Sequence, residues 1–226
     1  MGVWSGGEHV RYNGKMHQLE HVYRMLFCFF GPQRWWPGKT PFEIAIGAIL
    51  TQNTNWTNVE RAIENLKRHG VLSPKALYRL SGANLASLVR PAGYYRVKAR
   101  RIRCFLEFLF RHYGGRMEDM AREETDIIRE KLLEIHGIGP ETADSILLYA
   151  LEKPVFVIDA YTRRVLARHG IMAYERSYEA FQQLFHSAIV RDVRLYNEYH
   201  ALFVRLGKTF CRARPQCDGC PLRGLH

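Results

Sequence analysis

Four groups of residues have the types and spacing to do chemistry. Gly137 and Gly139 bracket Ile138 between two stretches of helical periodicity. Pro140 suits the first position of the second helix, and Glu141 sits in its first turn. Glycine there permits positive φ and close approach by another backbone. The N–H groups of a helix start beside such glycines make a ready seat for a phosphate. A single carboxylate, Asp159, ends the apolar run Val155-Phe-Val-Ile158, which would hold it in place. Cys211, Cys217 and Cys220 crowd into the last residues, and three thiols so close in a chain without a secretion signal are usually metal ligands. Trp35 and Trp36 stand side by side in a turn, while Trp56 follows the polar cluster Thr51-Gln-Asn-Thr-Asn55. Read for structure alone, the same residues fit a buried helical hairpin, an aspartate cap and tryptophans plugging a core seam.

Helices must position these groups. Leu19, Val22, Tyr23, Leu26, Phe27 and Phe30 recur at helical spacing, predicting a helix over 17–30 that Gly31-Pro32 ends, with residues 1–16 as a frayed arm. Thr40-Pro41-Phe42-Glu43 has the cap, first-turn proline and capping-box partner of a helix start. Phe42–Leu50 is apolar nearly all round, so that helix should be central and buried. Further helices are expected over 58–68, 74–80, 83–89, 97–113, 160–169, 177–190 and 193–207. The hairpin spans 123–151, with Ile127, Ile128, Leu132 and Leu133 on one face of its first helix. The only strand-like stretch is 155–158, so the fold class is all-α.

With 226 residues, 47% hydrophobic and 24% charged, the chain has the composition of an ordinary globule. No apolar run approaches the roughly 20 residues needed to span a bilayer, and the first residues do not read as a signal peptide. A formal net charge of +11 favours a polyanionic partner, with local basic density at Arg96–Arg103. Charge alone does not separate DNA from RNA or an anionic membrane. Of the five cysteines, Cys28 and Cys104 lie in apolar helical contexts and read as core thiols. The odd count argues against a disulfide framework and for a cytoplasmic protein.

The run Leu133-Glu-Ile-His-Gly137-Ile-Gly139-Pro-Glu-Thr142-Ala, with Asp159 twenty residues after Gly139, resembles the helix-hairpin-helix, Gly/Pro loop and aspartate of the endonuclease III family of DNA glycosylases. Arg90-Pro-Ala-Gly-Tyr94-Tyr-Arg-Val-Lys98-Ala looks like a second stretch of that family. The last cysteines are similar to its iron–sulfur loop, Cys-x6-Cys-x2-Cys-x5-Cys, with two departures: the first spacing is x5, and His226 holds the fourth position. The resemblance covers about residues 17–226 and implies a two-lobed fold. Residues 38–154 would form a helical barrel holding the hairpin. Residues 1–37 and 155–226 would form a second lobe, and Asp159 would lie at the floor of the cleft between them.

The resemblance also implies roles. Gly137, Ile138 and Gly139 would meet the backbone of double-stranded DNA. Gln52 would fill the gap left by a flipped base. Tyr94 would wedge into the opposing strand, with Lys98 and Arg101 near phosphates. Asp159 would stabilise an oxocarbenium-like sugar and position or activate water. Bifunctional members carry a nucleophilic lysine two residues after the second glycine. Here that residue is Glu141, which implies base removal without strand scission. The hairpin, Trp35-Trp36-Pro37 and the 51–56 cluster look most like the 3-methyladenine DNA glycosylase branch. A cationic alkylated purine would stack between Trp35 or Trp36 and Trp56, a cation–π attraction of about 0.5–2 kcal/mol. Glu141 at the pocket mouth would add preference for a cation. Cys211, Cys217, Cys220 and His226 would ligate a 4Fe–4S cluster of structural role, with a zinc site or a vestigial loop as the other readings; a monovalent cation at the hairpin is also allowed. The expected protein is a monomer acting on damaged duplex DNA, with no membrane partner. Two other readings stay open: a bifunctional glycosylase/lyase acting on oxidised pyrimidines through Lys98 or Lys208, and a non-catalytic DNA-binding module.

Overall fold

The computed structural model describes residues 7–35 and 38–225, with residues 7–16 described as helix only. Twelve α-helices, a 3-10 turn and a π-helical turn follow one another, and no strand occurs among the described residues. The chain divides into two compact units, Trp36–Lys153 and Met1–Trp35 with Pro154–His226.

The first unit is built around α2 (Pro41–Thr51). Thr40 caps it by accepting the Glu43 N–H at 3.1 Å, and Pro41 occupies the first turn. The reciprocal half of the capping box is absent, because the Glu43 carboxylate turns to Lys67 at 2.7 Å on α3 (Trp56–Arg68). Ile46, Ile49 and Leu50 are fully buried, each such side chain contributing about 1.5–3 kcal/mol through burial. Next come α4 (Pro74–Arg79), α5 (Gly82–Leu88) and a 3-10 turn (Arg90–Ala92). Then follow α6 (Tyr95–Tyr113), α7 (Met117–Ala121), α8 (Thr125–Leu133) and α9 (Pro140–Ser145), which runs into the π-helical turn Ile146–Ala150. α2 packs against α3, α6, α9 and the π turn, so it is the buried spine of this unit. The hairpin face is narrower than expected: Ile128 and Leu132 are fully buried, whereas Ile127 is 51% exposed. Neighbouring residues on a helix lie about 100° apart, so one of the two isoleucines must leave the face.

In the second unit α1 (Gly7–Phe30) packs against α11 (Tyr178–Ala188) and α12 (Val193–Thr209), and α10 (Ala160–Arg168) packs against α12. α1 starts at Gly7, ten residues before the expected start at His17. Cys28 is exposed and Cys104 half-buried, which corrects the reading of both as core thiols. Residues 155–158 are buried and belong to no strand. Their backbone groups find side-chain partners instead. Tyr178 Oη accepts the Ile158 N–H at 3.2 Å, His186 Nε2 accepts the Phe156 N–H at 3.1 Å, and Gln182 Nε2 donates to the Phe156 carbonyl at 2.9 Å. The Phe156 ring stacks on Phe185 at 3.7 Å and meets Tyr196 and Tyr199 edge-on. That aromatic core fixes the run that delivers Asp159.

Candidate active site and nucleic-acid interface

Asp159 caps α10. Its Oδ1 accepts the Thr162 N–H at 2.7 Å, and its backbone is extended at φ −98°, ψ 177°. The residue is 8% exposed. His200 of α12, 5% exposed, brings Nε2 to 3.6 Å from Asp159 Oδ2, an ion-pair distance rather than a hydrogen bond. Burial alone would push the Asp159 carboxyl up. The His200 imidazole and the Thr162 N–H and hydroxyl outweigh burial and hold the group below its ordinary value. The imidazole lies near the Phe156 ring, edge-on at 6.5 Å, and the Trp35 ring, tilted at 6.4 Å. One unit therefore brings Trp35, His200, Thr162 and Asp159 together. A buried carboxylate held ionised can face a developing positive charge or take a proton from water.

The hairpin and the Gln52 loop form a second cluster, within the other unit. Gly137 adopts φ +85°, and a Cβ there would lie 2.5 Å from Arg101 Cγ, so positive φ and close approach both require glycine. Gly139 caps α9 and has open space where a Cβ would project. Ile138 is buried, and its N–H donates to the Ile135 carbonyl at 3.0 Å; it shapes the turn rather than facing outward. Arg129 of α8 holds the fully buried Asp144 with two bonds, Nε–Oδ1 at 2.7 Å and Nη2–Oδ2 at 3.1 Å. Gln52 Nε2 donates to the Gly137 carbonyl at 3.0 Å and to Thr142 Oγ1 at 2.9 Å, while its Oε1 accepts from Arg101. In this conformation Gln52 fastens its loop to the hairpin.

Lys98 does not reach solvent, which corrects its expected place beside phosphates. It is 1% exposed, and its Nζ donates to the Leu50 carbonyl at 2.8 Å and the Ala92 carbonyl at 2.6 Å. It joins the end of α2 to the 3-10 turn before Tyr94. Burial, helped by the Arg101 charge, lowers its pKa to about 8. Tyr94 is 72% exposed and left-handed at φ 45°. Among the described residues the positive-φ positions other than glycine are Arg34, Asn53, Tyr94 and Glu152. The first three flank or occupy the tryptophan turn, the Gln52 loop and the start of α6. Trp56 is half-buried, with its ring over Gly47 and its indole N–H on Glu60 Oε1 at 3.0 Å. Glu141 is exposed. Trp36 lies outside the described residues, as does His226.

The cysteine loop hangs on α10. Arg164 Nε donates to the Cys211 carbonyl at 2.7 Å, Arg168 Nη1 to Cys211 Sγ at 3.3 Å, and Arg168 also to the Arg212 and Ala213 carbonyls. Cys211 is buried, Cys217 exposed and Cys220 half-buried. Burial, then the Leu222 and Arg223 N–H groups opposing it, and the nearby Cys211 and Cys217 leave the Cys220 thiol raised. The donors suit iron or zinc in type. In placement they do not fit a centre: no group of three or more His, Cys, Asp or Glu among the described residues could hold a metal ion.

His200 and Thr162 were not expected beside Asp159, nor Thr142 as a partner of Gln52. A signal for His200 exists: it falls among Tyr196, Tyr199 and Phe203 on the buried face of α12, where an imidazole needs a polar partner. No helix among the described residues is long and apolar enough to cross a membrane.

Residues 46–190 match the HhH-GPD superfamily of base excision DNA repair proteins. A putative DNA repair glycosylase of Methanocaldococcus jannaschii is 43% identical over 211 residues, spanning 92% of this chain and 96% of the relative. The 3-methyladenine DNA glycosylase of H. pylori, solved with 1,N6-ethenoadenine, is 27% identical with a TM-score of 0.73, covering 86% of this chain and 97% of that one. A trapped covalent complex of endonuclease III with DNA superposes with a TM-score of 0.79 at 22% identity, over 93% and 94% of the two chains, a likeness of fold.

Proposed function

The chain belongs to the HhH-GPD superfamily of base excision DNA repair proteins, and from that premise we propose that it is a monofunctional DNA N-glycosylase acting on alkylated purines. The observation that carries the proposal is Asp159, buried yet held in its charged form, together with Glu141 at the position where a lyase of the family needs lysine. The target base leaves the stack, because its glycosidic bond is out of reach inside a duplex. Trp35, whose ring lies 6.4 Å from that of His200 in the unit that carries Asp159, supplies an aromatic face on which a cationic base stacks. The glycosidic bond breaks with its electron pair leaving on the base, which thereby becomes neutral. Asp159 stabilises the cationic sugar. Water then adds at the sugar carbon and gives up a proton through Asp159.

The hairpin glycines and the basic surface hold DNA without reading sequence, so affinity falls with salt. The exposure and left-handed backbone of Tyr94 support reading it as the residue that wedges into the opposing strand. The cysteine loop carries the donor types of an iron or zinc centre but not the placement, so no such centre is assigned to it and no step of base excision passes through it. Iron and zinc analysis of the purified protein tests this: either metal at stoichiometry overturns it. The bifunctional reading through Lys98 is disfavoured, because that ammonium is buried on two carbonyls.

The test is a duplex panel carrying single defined lesions, an alkylated purine among them, incubated with the protein and split with or without hot alkali. Nicks at the alkylated purine that need alkali support the proposal. Nicks without alkali, or a covalent complex trapped by borohydride, overturn its monofunctional half. Cleavage of no lesion returns the chain to a DNA-binding module.

A further inference from the structure

The two oxygens of Asp159 have different duties. Oδ1 is committed to the Thr162 N–H at the start of α10. Oδ2 is the oxygen left to face a reacting sugar or water, and it lies on the His200 side. His200 is itself buried, with its ring close to those of Phe156 and Trp35. The imidazole thus has little freedom to swing away from Oδ2.

Helix spacing reinforces this. Gly207 lies on the same helix as His200, about two turns on. A Cβ at Gly207 would sit 2.2 Å from Tyr161 Cδ1, and Tyr161 stands two residues after Asp159. Glycine there lets the first turn of α10 approach α12 closely, and that approach sets the distance between the imidazole and the carboxylate.

The other charged groups nearby are turned elsewhere. Arg164 and Arg168 of α10 point into the cysteine loop, and Arg163 donates to the Tyr174 and Arg176 carbonyls. Glu198, on the same helix as His200, accepts the Gln33 N–H. His186 of α11 accepts the Phe156 N–H, and Tyr23 of α1 meets Tyr199. Asp159 is a charged group that the geometry sets against the His200 ring, with Oδ2 3.6 Å from Nε2.

We propose that His200 is the positioning residue of the reaction: it holds Oδ2 of Asp159 in place and keeps that oxygen available as a carboxylate for base excision. The proposal rests on the glycosylase reading above and adds a second residue to its machinery. His200 acts through Asp159 and does not itself meet the substrate. The imidazole's favourable effect on the charged carboxyl agrees in direction with the lowered titration of Asp159. The 3.6 Å separation is one from which catalytic contacts tighten in a substrate complex.

The experiment uses the full chain with His200→Phe, which keeps the buried ring, and His200→Gln, whose amide can still donate to Oδ2. Single-turnover excision from a duplex with one 7-methylguanine is followed against pH. The Asp159 carboxyl is titrated separately by 13C NMR in the wild type and both variants. His200→Phe is expected to move the acid limb of the rate profile, and the Asp159 titration, to higher pH. Its plateau rate should fall by roughly 10²-fold, the low end of what a positioned acid–base group contributes. His200→Gln is expected to recover most of that loss, and duplex affinity should stay near wild type in both. A folded His200→Phe with wild-type titration of Asp159 overturns the proposal, whatever the excision assay shows. Should the wild type excise nothing, the glycosylase reading fails on its own, and the NMR titration still decides the pairing. If His200→Phe does not fold, His200→Gln against Asp159→Asn carries the comparison: equal loss in both overturns the rescue that positioning requires.

Discussion

Arg129→Met tests how the hairpin is held together. Arg129 on α8 and Asp144 on α9 join the two helices through a forked pair of bonds at 2.7 and 3.1 Å, and Asp144 is fully buried. Methionine keeps the apolar stem, so little packing is lost. What is lost is the charge partner of a carboxylate that water does not reach. Removing one member of a buried ion pair costs about 3–5 kcal/mol. At about 2–4 °C per kcal/mol for a chain of this size, the melting temperature should fall by roughly 6–20 °C. Adding Asp144→Leu removes the stranded charge, and the double variant should regain most of the loss, since an apolar replacement of the whole pair is often neutral or better. Urea unfolding of the wild type, the single variant and the double variant measures this directly. A single variant within about 0.5 kcal/mol of wild type, the range of an ordinary surface change, refutes the reasoning.

Tyr94→Gly should leave stability within about 1 kcal/mol of wild type, because relief of the left-handed backbone offsets glycine's entropy; duplex affinity should fall, and unchanged affinity argues against the wedge. Gly207→Ala should cost about 1–3 kcal/mol by overpacking against Tyr161, and adding Tyr161→Ala should restore the spacing and the excision rate together. Lys98 titrates at about 8 in the fold, below the ordinary 10.5. Between those values the unfolded chain holds a proton that the fold does not, so stability owed to Lys98 rises with pH across that window. Lys98→Met should be less stable than wild type, and its urea midpoint should lack that alkaline rise.

Local chemistry was readable from the sequence where a residue's neighbours in the chain are also its partners. Thr40-Pro41 announces α2, and α2 is the buried spine because no face of Phe42–Leu50 is polar. Gly137 announces the hairpin turn, and its positive φ and the Arg101 contact give the reason. What was not readable depends on partners far along the chain. Lys98 sits in a basic helix and looks like a surface residue; only the fold shows two carbonyls waiting for its ammonium. Gln52 reads as the residue that fills a flipped base's gap, and its bond to the hairpin, 85 residues on, shows only in the fold. His200 follows Asp159 by forty-one residues, and nothing local to either announces the other. Cys28 has apolar neighbours, yet Phe27 and Phe29 beside it are exposed too, so sequence neighbourhood misjudged which face of α1 turns inward. The five-residue α7 is too short for its periodicity to register.

The central claim is that Asp159 carries base excision rather than DNA binding. The direct measurement is single-turnover release of an alkylated purine from a duplex by wild type and Asp159→Asn, with duplex affinity measured in parallel at fixed salt. Loss of roughly 10²-fold or more in release, with affinity kept within a few-fold, is the outcome the account predicts. Release at the wild-type rate by Asp159→Asn contradicts it.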